Sequence, residues 1–322
     1  MNSLGSDGLR TRVGRLGVFL GGLALASASD LRTGVADLEE LGWGAVWCGE
    51  ALGREAFAHA ALILSATRRL AVGTGIANIW ARDAAAMANG ARTLAEAWAG
   101  RFVLGVGVSH RPVLAARGTD VDVQRPVCAM RTYLAQMSAT EYRAPSPRVP
   151  APIVLAALGP RMLDLAGAHA DGALTYLVPV EHTRWARVRL GPRPLLAVEQ
   201  AVVLAGVLAE ARVIGDLHLR TYLSLPAYRQ NLLRLGFSAA ELEGAGSDRL
   251  FDALVAWGDH RQVMNRVRGQ LAAGADHVAV HVLTATPVPE TRILAELSVA
   301  AGLSPRAPRL ASGEPSLPSA AG

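Results

Sequence analysis

The sequence predicts an α/β protein built as a (β/α)8 TIM barrel, and three observations carry that prediction. Short apolar runs without polar alternation recur along the chain, as expected of strands buried on both faces of a parallel sheet. Helical stretches separate them, giving eight strand–helix units over about 290 residues. Glycines and polar residues gather just after the runs, at the end where α/β proteins place their chemistry. A doubly wound open sheet is the runner-up. The Gly-x-Gly pairs at Gly73 and Gly105 do not favour it, because neither has a third glycine at the dinucleotide spacing.

Taken in order, residues 1–15 read as disordered, 16–303 as one barrel domain, and 304–322 as a disordered tail rich in Pro, Ser and Ala. Strand one is Leu16–Gly21. Ser29 and Asp30 are candidate caps for a helix to about Leu41, which Gly42 ends. Strand two is Ala45–Gly49. A helix over about 55–67 places Phe57, Ala60, Ala61 and Leu64 on one face. Strand three is Leu70–Ala77, the Ala-rich helix Asp83–Trp98, and strand four Phe102–Val108. Pro112 breaks the chain, and a helix covers roughly Val123–Met137. Four prolines over 143–152 make a loop. Strand five is Ile153–Ala157, and Pro160 suits the first position of the next helix. Strand six is Ala173–Leu177, strand seven lies within Leu195–Leu204, and strand eight is Val278–Leu283. The extended segment between strands seven and eight reads as a long helical region, Ala209–Ala273, broken at Pro226 and near Gly244–Gly246.

Composition bounds the function. Hydrophobic residues are 51% of the 322 and charged residues 18%, which indicates a compact fold. Every basic residue counted is arginine, for a formal charge of +5. No basic run with interleaved aromatics appears, which argues against nucleic-acid binding. Cys48 and Cys128 make no disulfide framework, and Cys48 sits in an apolar strand as a buried thiol. Arg10, Arg12 and Arg15 before Leu16–Ala26, then Ser27-Ala28-Ser29, imitate a signal peptide. The competing reading, a first barrel strand and a glycine turn, is preferred. No segment is long and apolar enough to span a membrane.

Several residues fall at the predicted strand ends. Glu50 ends strand two, where a carboxylate can accept hydrogen bonds from a cofactor or pair with Arg54. Asn78 follows strand three and suits either a ligand contact or a turn. Trp80 and Arg82 follow, Trp80 as a pocket wall or interface residue. His110 and Arg111 follow strand four, where they can reach a cofactor's anionic tail or the substrate; His110 is the candidate titrating group of this face, or else a loop histidine bonded to backbone. Leu158, Gly159, Arg161 and Met162 flank Pro160, where free helix N–H groups and an arginine can hold an anion. His277 and His281 share a strand face but stand roughly 13 Å apart, too far to share one metal ion, so no metal is assigned. Tyr176, Tyr222 and Tyr228 read as pocket aromatics or core residues, with core packing preferred for each. No H-E-x-x-H, G-x-S-x-G or P-loop pattern occurs.

Four stretches occur in one order: Val46–Glu50, Asn78–Asp83, Gly100–His110 and Ala156–Arg161. Together they resemble the bacterial-luciferase-like superfamily, in its coenzyme F420 (deazaflavin)-dependent oxidoreductase branch, over roughly residues 16–303. The resemblance implies a luciferase-like barrel that moves a hydride between F420 and a small organic substrate. It places a backbone bulge at Gly75-Ile76, gives Glu50 a cofactor contact, and assigns the phosphate side to Val106, Gly107 and the Leu158–Met162 turn. It also implies a homodimer in the cytoplasm, with 205–273 as candidate interface or lid. Two departures stand out. Ala51 replaces the histidine of alcohol-oxidising relatives, and Val108 replaces their second proton-handling glutamate. The alternatives are an FMN-dependent monooxygenase, a non-catalytic flavin-binding protein, and an exported binding protein.

Overall fold

The computed structural model describes residues 6–119, 125–284 and 290–304. The strands are β1 (Leu16–Phe19), β2 (Ala45–Cys48), β3 (Ala71–Thr74), β4 (Ala77–Asn78), β5 (Phe102–Gly107), β6 (Ile153–Ala156), β7 (Gly172–Thr175), β8 (Leu195–Leu204), β9 (Val255–Gly258) and β10 (His277–Val282). The α-helices are α1 (Ser6–Val13), α2 (Ala28–Glu40), α3 (Ala56–Ala66), α4 (Ala84–Ala97), α5 (Arg111–Ala116), α6 (Pro126–Ala139), α7 (Pro160–His169), α8 (Val180–Leu190), α9 (Leu208–Leu223), α10 (Pro226–Arg234), α11 (Asp248–Leu254), α12 (His260–Ala272) and α13 (Thr291–Ala300). Every strand pairing is parallel. Strand β10 pairs with both β1 and β8, so β1, β2, β3, β5, β6, β7, β8 and β10 close a barrel. The predicted TIM barrel is therefore present.

Strand periodicity sorts the side chains into two layers. Ala45, Trp47, Ala71, Val103, Val154, Leu174, Ala197 and Ala279 fill the barrel interior. Val18, Val46, Val72, Leu104, Leu155, Val198 and Val280 face the helices. Low in the interior the Trp47 indole N–H donates to His277 Nε2 at 3.0 Å. An indole nitrogen can only donate, so Nε2 accepts, and Nδ1 carries the proton that reaches Gly14 O at 2.8 Å.

Residues expected to be unstructured before Leu16 include a helix. On α1, Leu9 and Val13 lie on one face and plug the bottom of the barrel, both almost fully buried. Arg10 on its other side bonds Asp276 at 2.9 Å and two carbonyls of the β8 approach. Two apolar residues four apart are a weak periodic signal, which is why the sequence hides this helix. Strand β9 likewise interrupts the region read as helical. It pairs with Ala201–Leu204, the half of the ten-residue β8 that extends past β7. The predicted strand three divides into β3 and β4 around a cis peptide at Gly75-Ile76. Ser27, rather than Ser29 or Asp30, caps α2 by accepting from Asp30 N at 3.1 Å. The tail beyond residue 304, expected to be disordered, and the expected helix start at Val123 lie outside the described residues.

The segment after β8 builds a second small core over the barrel mouth. Leu219, Leu223, Tyr228, Leu232 and Phe251 pack on Leu177, Ala201 and Val203. No described helix is long and apolar enough to cross a membrane. Cys48 is buried and Cys128 exposed, and both are free thiols. Burial, reinforced by nearby Glu50, pushes the Cys48 thiol up to about 12, so it stays protonated and unreactive.

Candidate active site

The C-terminal ends of β2, β3–β4, β5 and β6 lie side by side, and the residues singled out in the sequence fall on this crescent. Gly75 N donates to Cys48 O at 2.7 Å, and Ile79 N to Gly107 O at 3.1 Å. Asn78 is paired with Gly107 in the sheet. A Cβ on Gly107 would stand 2.5 Å from the Ile76 side chain, and one on Gly105 only 1.8 Å from Thr74 O. Glycine at both places lets the Gly75-Ile76 turn press against β5.

Glu50 is at the strand ends, but its partner is Arg82 and not Arg54. Arg54 donates to Ala24 O and Ala26 O, both at 2.6 Å. The Arg82 guanidinium grips both Glu50 oxygens, with Nη1 to Oε2 at 3.0 Å, and Asn78 N donates to Oε2 at 2.8 Å. The Glu50 carboxylate is fully buried in this arrangement. Arg82 also reaches Glu55 at 2.7 Å and lies over the Phe57 ring. Asn78 Oδ1 accepts from Trp80 N at 3.0 Å, closing a turn, while its buried Nδ2 has no partner. Trp80 ties this loop to Val108 O at 2.9 Å.

The remaining candidates divide by what they present. The side chains of Val106 and Met162 are buried in the layer between barrel and helices, so only their backbone faces the crescent. Gly159 is the N-cap of α7 and has no side-chain cap, so the first N–H groups of that helix are open. Arg161 is exposed, and the guanidinium of Arg234 on α10 comes within 3.5 Å of where a Cβ on Gly159 would sit. Leu158 O accepts a contact from His182 Nε2 at 2.9 Å. His110 precedes α5, packs on the Tyr228 ring at 5.3 Å, and is held below its ordinary pKa by burial. Arg111 beside it is exposed.

The structure also assembles groups that sequence spacing does not connect. Phe19, Tyr176, Glu199, His218, Tyr222, Tyr228 and His281 meet at the mouth, drawn from β1, β8, β10, α9, α10 and the turn after β7. Phe19 bridges them to the crescent. Its ring contacts Tyr176 and His281 at 5.2 Å each, and its Cε2 is 2.7 Å from a Cβ placed on Gly75. Glu199 accepts from Leu177 N at 3.0 Å and pairs with His281 Nδ1 at 3.0 Å. The three tyrosines, for which the sequence favours core packing over a pocket role, are packed together here, Tyr176 on Tyr222 at 4.9 Å and Tyr222 on Tyr228 at 5.1 Å. A glutamate inside the apolar run Leu195–Leu204 was the available signal, since a buried strand rarely carries one without a task or a partner.

A closed parallel barrel with an anion-ready helix N-terminus and polar groups at its strand ends is the frame of a (β/α)8 enzyme-type site. The luciferase-like monooxygenase family model matches residues 15–277, and the chain belongs to that family. A Mycobacterium tuberculosis protein provisionally named a coenzyme F420-dependent oxidoreductase is 30% identical over 170 residues, covering 44% of this chain and 49% of that protein. The chain spans about half the length of the curated relatives it matches. A solved F420-dependent secondary alcohol dehydrogenase, in complex with an F420-acetone adduct, superposes with a TM-score of 0.70 at 14% identity, covering 88% of this chain and 96% of that one. The oxygenating constituent of 3,6-diketocamphane monooxygenase from Pseudomonas putida, solved with FMN, superposes with a TM-score of 0.63 at 14% identity, covering 88% and 96%.

Proposed function

We propose that this protein is an F420-dependent oxidoreductase that transfers a hydride between the deazaflavin and a small organic substrate. The observation that carries the reading is the crescent. It joins the Gly75-Ile76 turn, the unpartnered Asn78 amide and the open N-terminus of α7 on one face of a luciferase-like barrel. When bound, the deazaflavin supplies the hydride-carrying carbon. The chain's residues supply binding and orientation. The N–H groups at the start of α7, with Arg161 and Arg234, suit the anionic side of the cofactor. The buried Asn78 Nδ2 offers a donor to a ring-edge acceptor. The Glu50–Arg82 pair holds the β4 loop so that Asn78 and Trp80 keep their places. The segment carrying Tyr222 and Tyr228 covers the mouth and excludes water from it.

Purified protein titrated with F420 tests this reading, followed by fluorescence. Arg161→Ala is expected to weaken F420 binding about tenfold, the effect of one charge-assisted contact. Unchanged affinity in that variant would remove α7 from the site. Substrate turnover in a cytoplasmic homodimer completes the proposal, and sedimentation with cofactor bound checks the dimer.

A further inference from the structure

We propose that Glu199, His218 and His281 form a binding site for a divalent transition-metal ion of the zinc type at the barrel mouth. One ligand atom from each residue can be chosen so that all lie within 4.8 Å of one another. Glu199 Oε1 and His281 Nδ1 are already 3.0 Å apart. Zinc bonds of about 2.0–2.1 Å in tetrahedral geometry put neighbouring ligands roughly 3.3 Å apart. Side-chain shifts of about an ångström close the triangle on an ion.

A second observation points the same way. His218 Nε2 is buried and has no hydrogen-bond partner, although carboxylate, phenol and imidazole groups surround it. A proton relay needs a continuous chain of hydrogen bonds, and the chain breaks at this atom. An ion at the centre of the triangle would satisfy it. Burial, with His281 nearby, lowers the His218 pKa to about 3, so the ring is in its neutral, ligating form. Glu199 is buried without an arginine beside it, its partners being Leu177 N and His281.

His281 Nε2 and Glu290 Oε2 both flank Gly21, 3.3 and 2.8 Å from where a Cβ on that residue would stand, with no hydrogen bond between them. Metal-bound imidazoles are characteristically held through the second nitrogen by a carboxylate, and the buried Glu290 Oε2, which has no hydrogen-bond partner among the described residues, is at hand to turn toward that nitrogen. Tyr176 OH, 3.2 Å from His281 Nδ1, borders the fourth position. Two nitrogens and one carboxylate oxygen with a fourth position open match catalytic zinc sites. Its use as a Lewis acid on a substrate oxygen, in place of the groups absent at Ala51 and Val108, rests on the hydride-transfer reading; metal binding does not.

Tag-free protein stripped with a chelator and titrated with Zn²⁺ by calorimetry, without F420, is expected to take up one ion per chain. Co²⁺ should give the visible bands of a four- or five-coordinate site with nitrogen and oxygen ligands. His218→Ala and Glu199→Gln should each weaken Zn²⁺ binding more than about 100-fold, beyond the roughly 10–100-fold loss that an outer partner causes. Absence of uptake by the unaltered protein overturns the site. So does a thiolate charge-transfer band with Co²⁺, which would report Cys128. Circular dichroism confirms that the variants are folded, and the Co²⁺ spectrum of the unaltered protein decides the matter even if they are not. Loss of F420 binding with zinc uptake intact would sink the function alone.

Discussion

Replacing Arg82 by methionine should destabilise the protein markedly. The reason is the carboxylate it leaves behind. The Glu50 side chain is 0% exposed and that of Arg82 9% exposed, so water cannot take the guanidinium's place. Removing one partner of a buried pair costs about 3–5 kcal/mol. Asn78 N still donates to Glu50 at 2.8 Å, and Arg117 stands 4.0 Å away. Those contacts place the cost near about 3 kcal/mol, or a fall in melting temperature of roughly 6 °C for a chain of this size. The double variant Glu50→Gln/Arg82→Met removes the orphaned charge, so it should recover more than half of the loss. Thermal and urea unfolding of the two single variants and the double variant give the coupling directly. A double variant no more stable than Arg82→Met would refute the buried-charge reasoning.

Stability should rise with pH through the acidic range. Burial lowers His59, His182 and His277 to about 4 and His218 to about 3, each from 6.5. The unfolded chain therefore binds more protons than the native one below 6.5. This contribution is fully present above that value and is lost as pH falls toward 4. Unfolding free energy at about pH 4.5 should lie more than about 2 kcal/mol below that at pH 7, and a flat profile would contradict it. Gly105→Ala drives a Cβ onto Thr74 O and should cost more than about 3 kcal/mol, whereas Gly107→Ala meets side chains alone, the Ile76 arm at 2.5 Å and the Ala156 Cβ at 3.2 Å, and should cost less, as paired unfolding curves will show. Trp47→Phe leaves His277 Nε2 without its donor and should cost about 1–3 kcal/mol in the same assay.

The barrel was legible because its strands are short, apolar and regularly spaced. The candidate crescent was legible because β2 to β6 follow one another in both sequence and space, so consecutive motifs become neighbours. What depends on closure was not. Glu199, His218 and His281 meet only because β10 returns beside β8 while α9 folds over the mouth, and no spacing encodes that. Arg54 is nearer to Glu50 in sequence than Arg82, yet the turn after β1 claims it through two carbonyls. Helix α1 shows too little apolar periodicity to be read before its socket is known. Strand β9 is only four residues of an apolar stretch between two helices.

A paired titration of the purified protein with F420 and with FMN decides between the two cofactors. Tight F420 binding with weak FMN binding is the predicted result. Preference for FMN would contradict the deazaflavin assignment and point to an oxygen-using monooxygenase, and binding of neither would remove the cofactor from the account altogether.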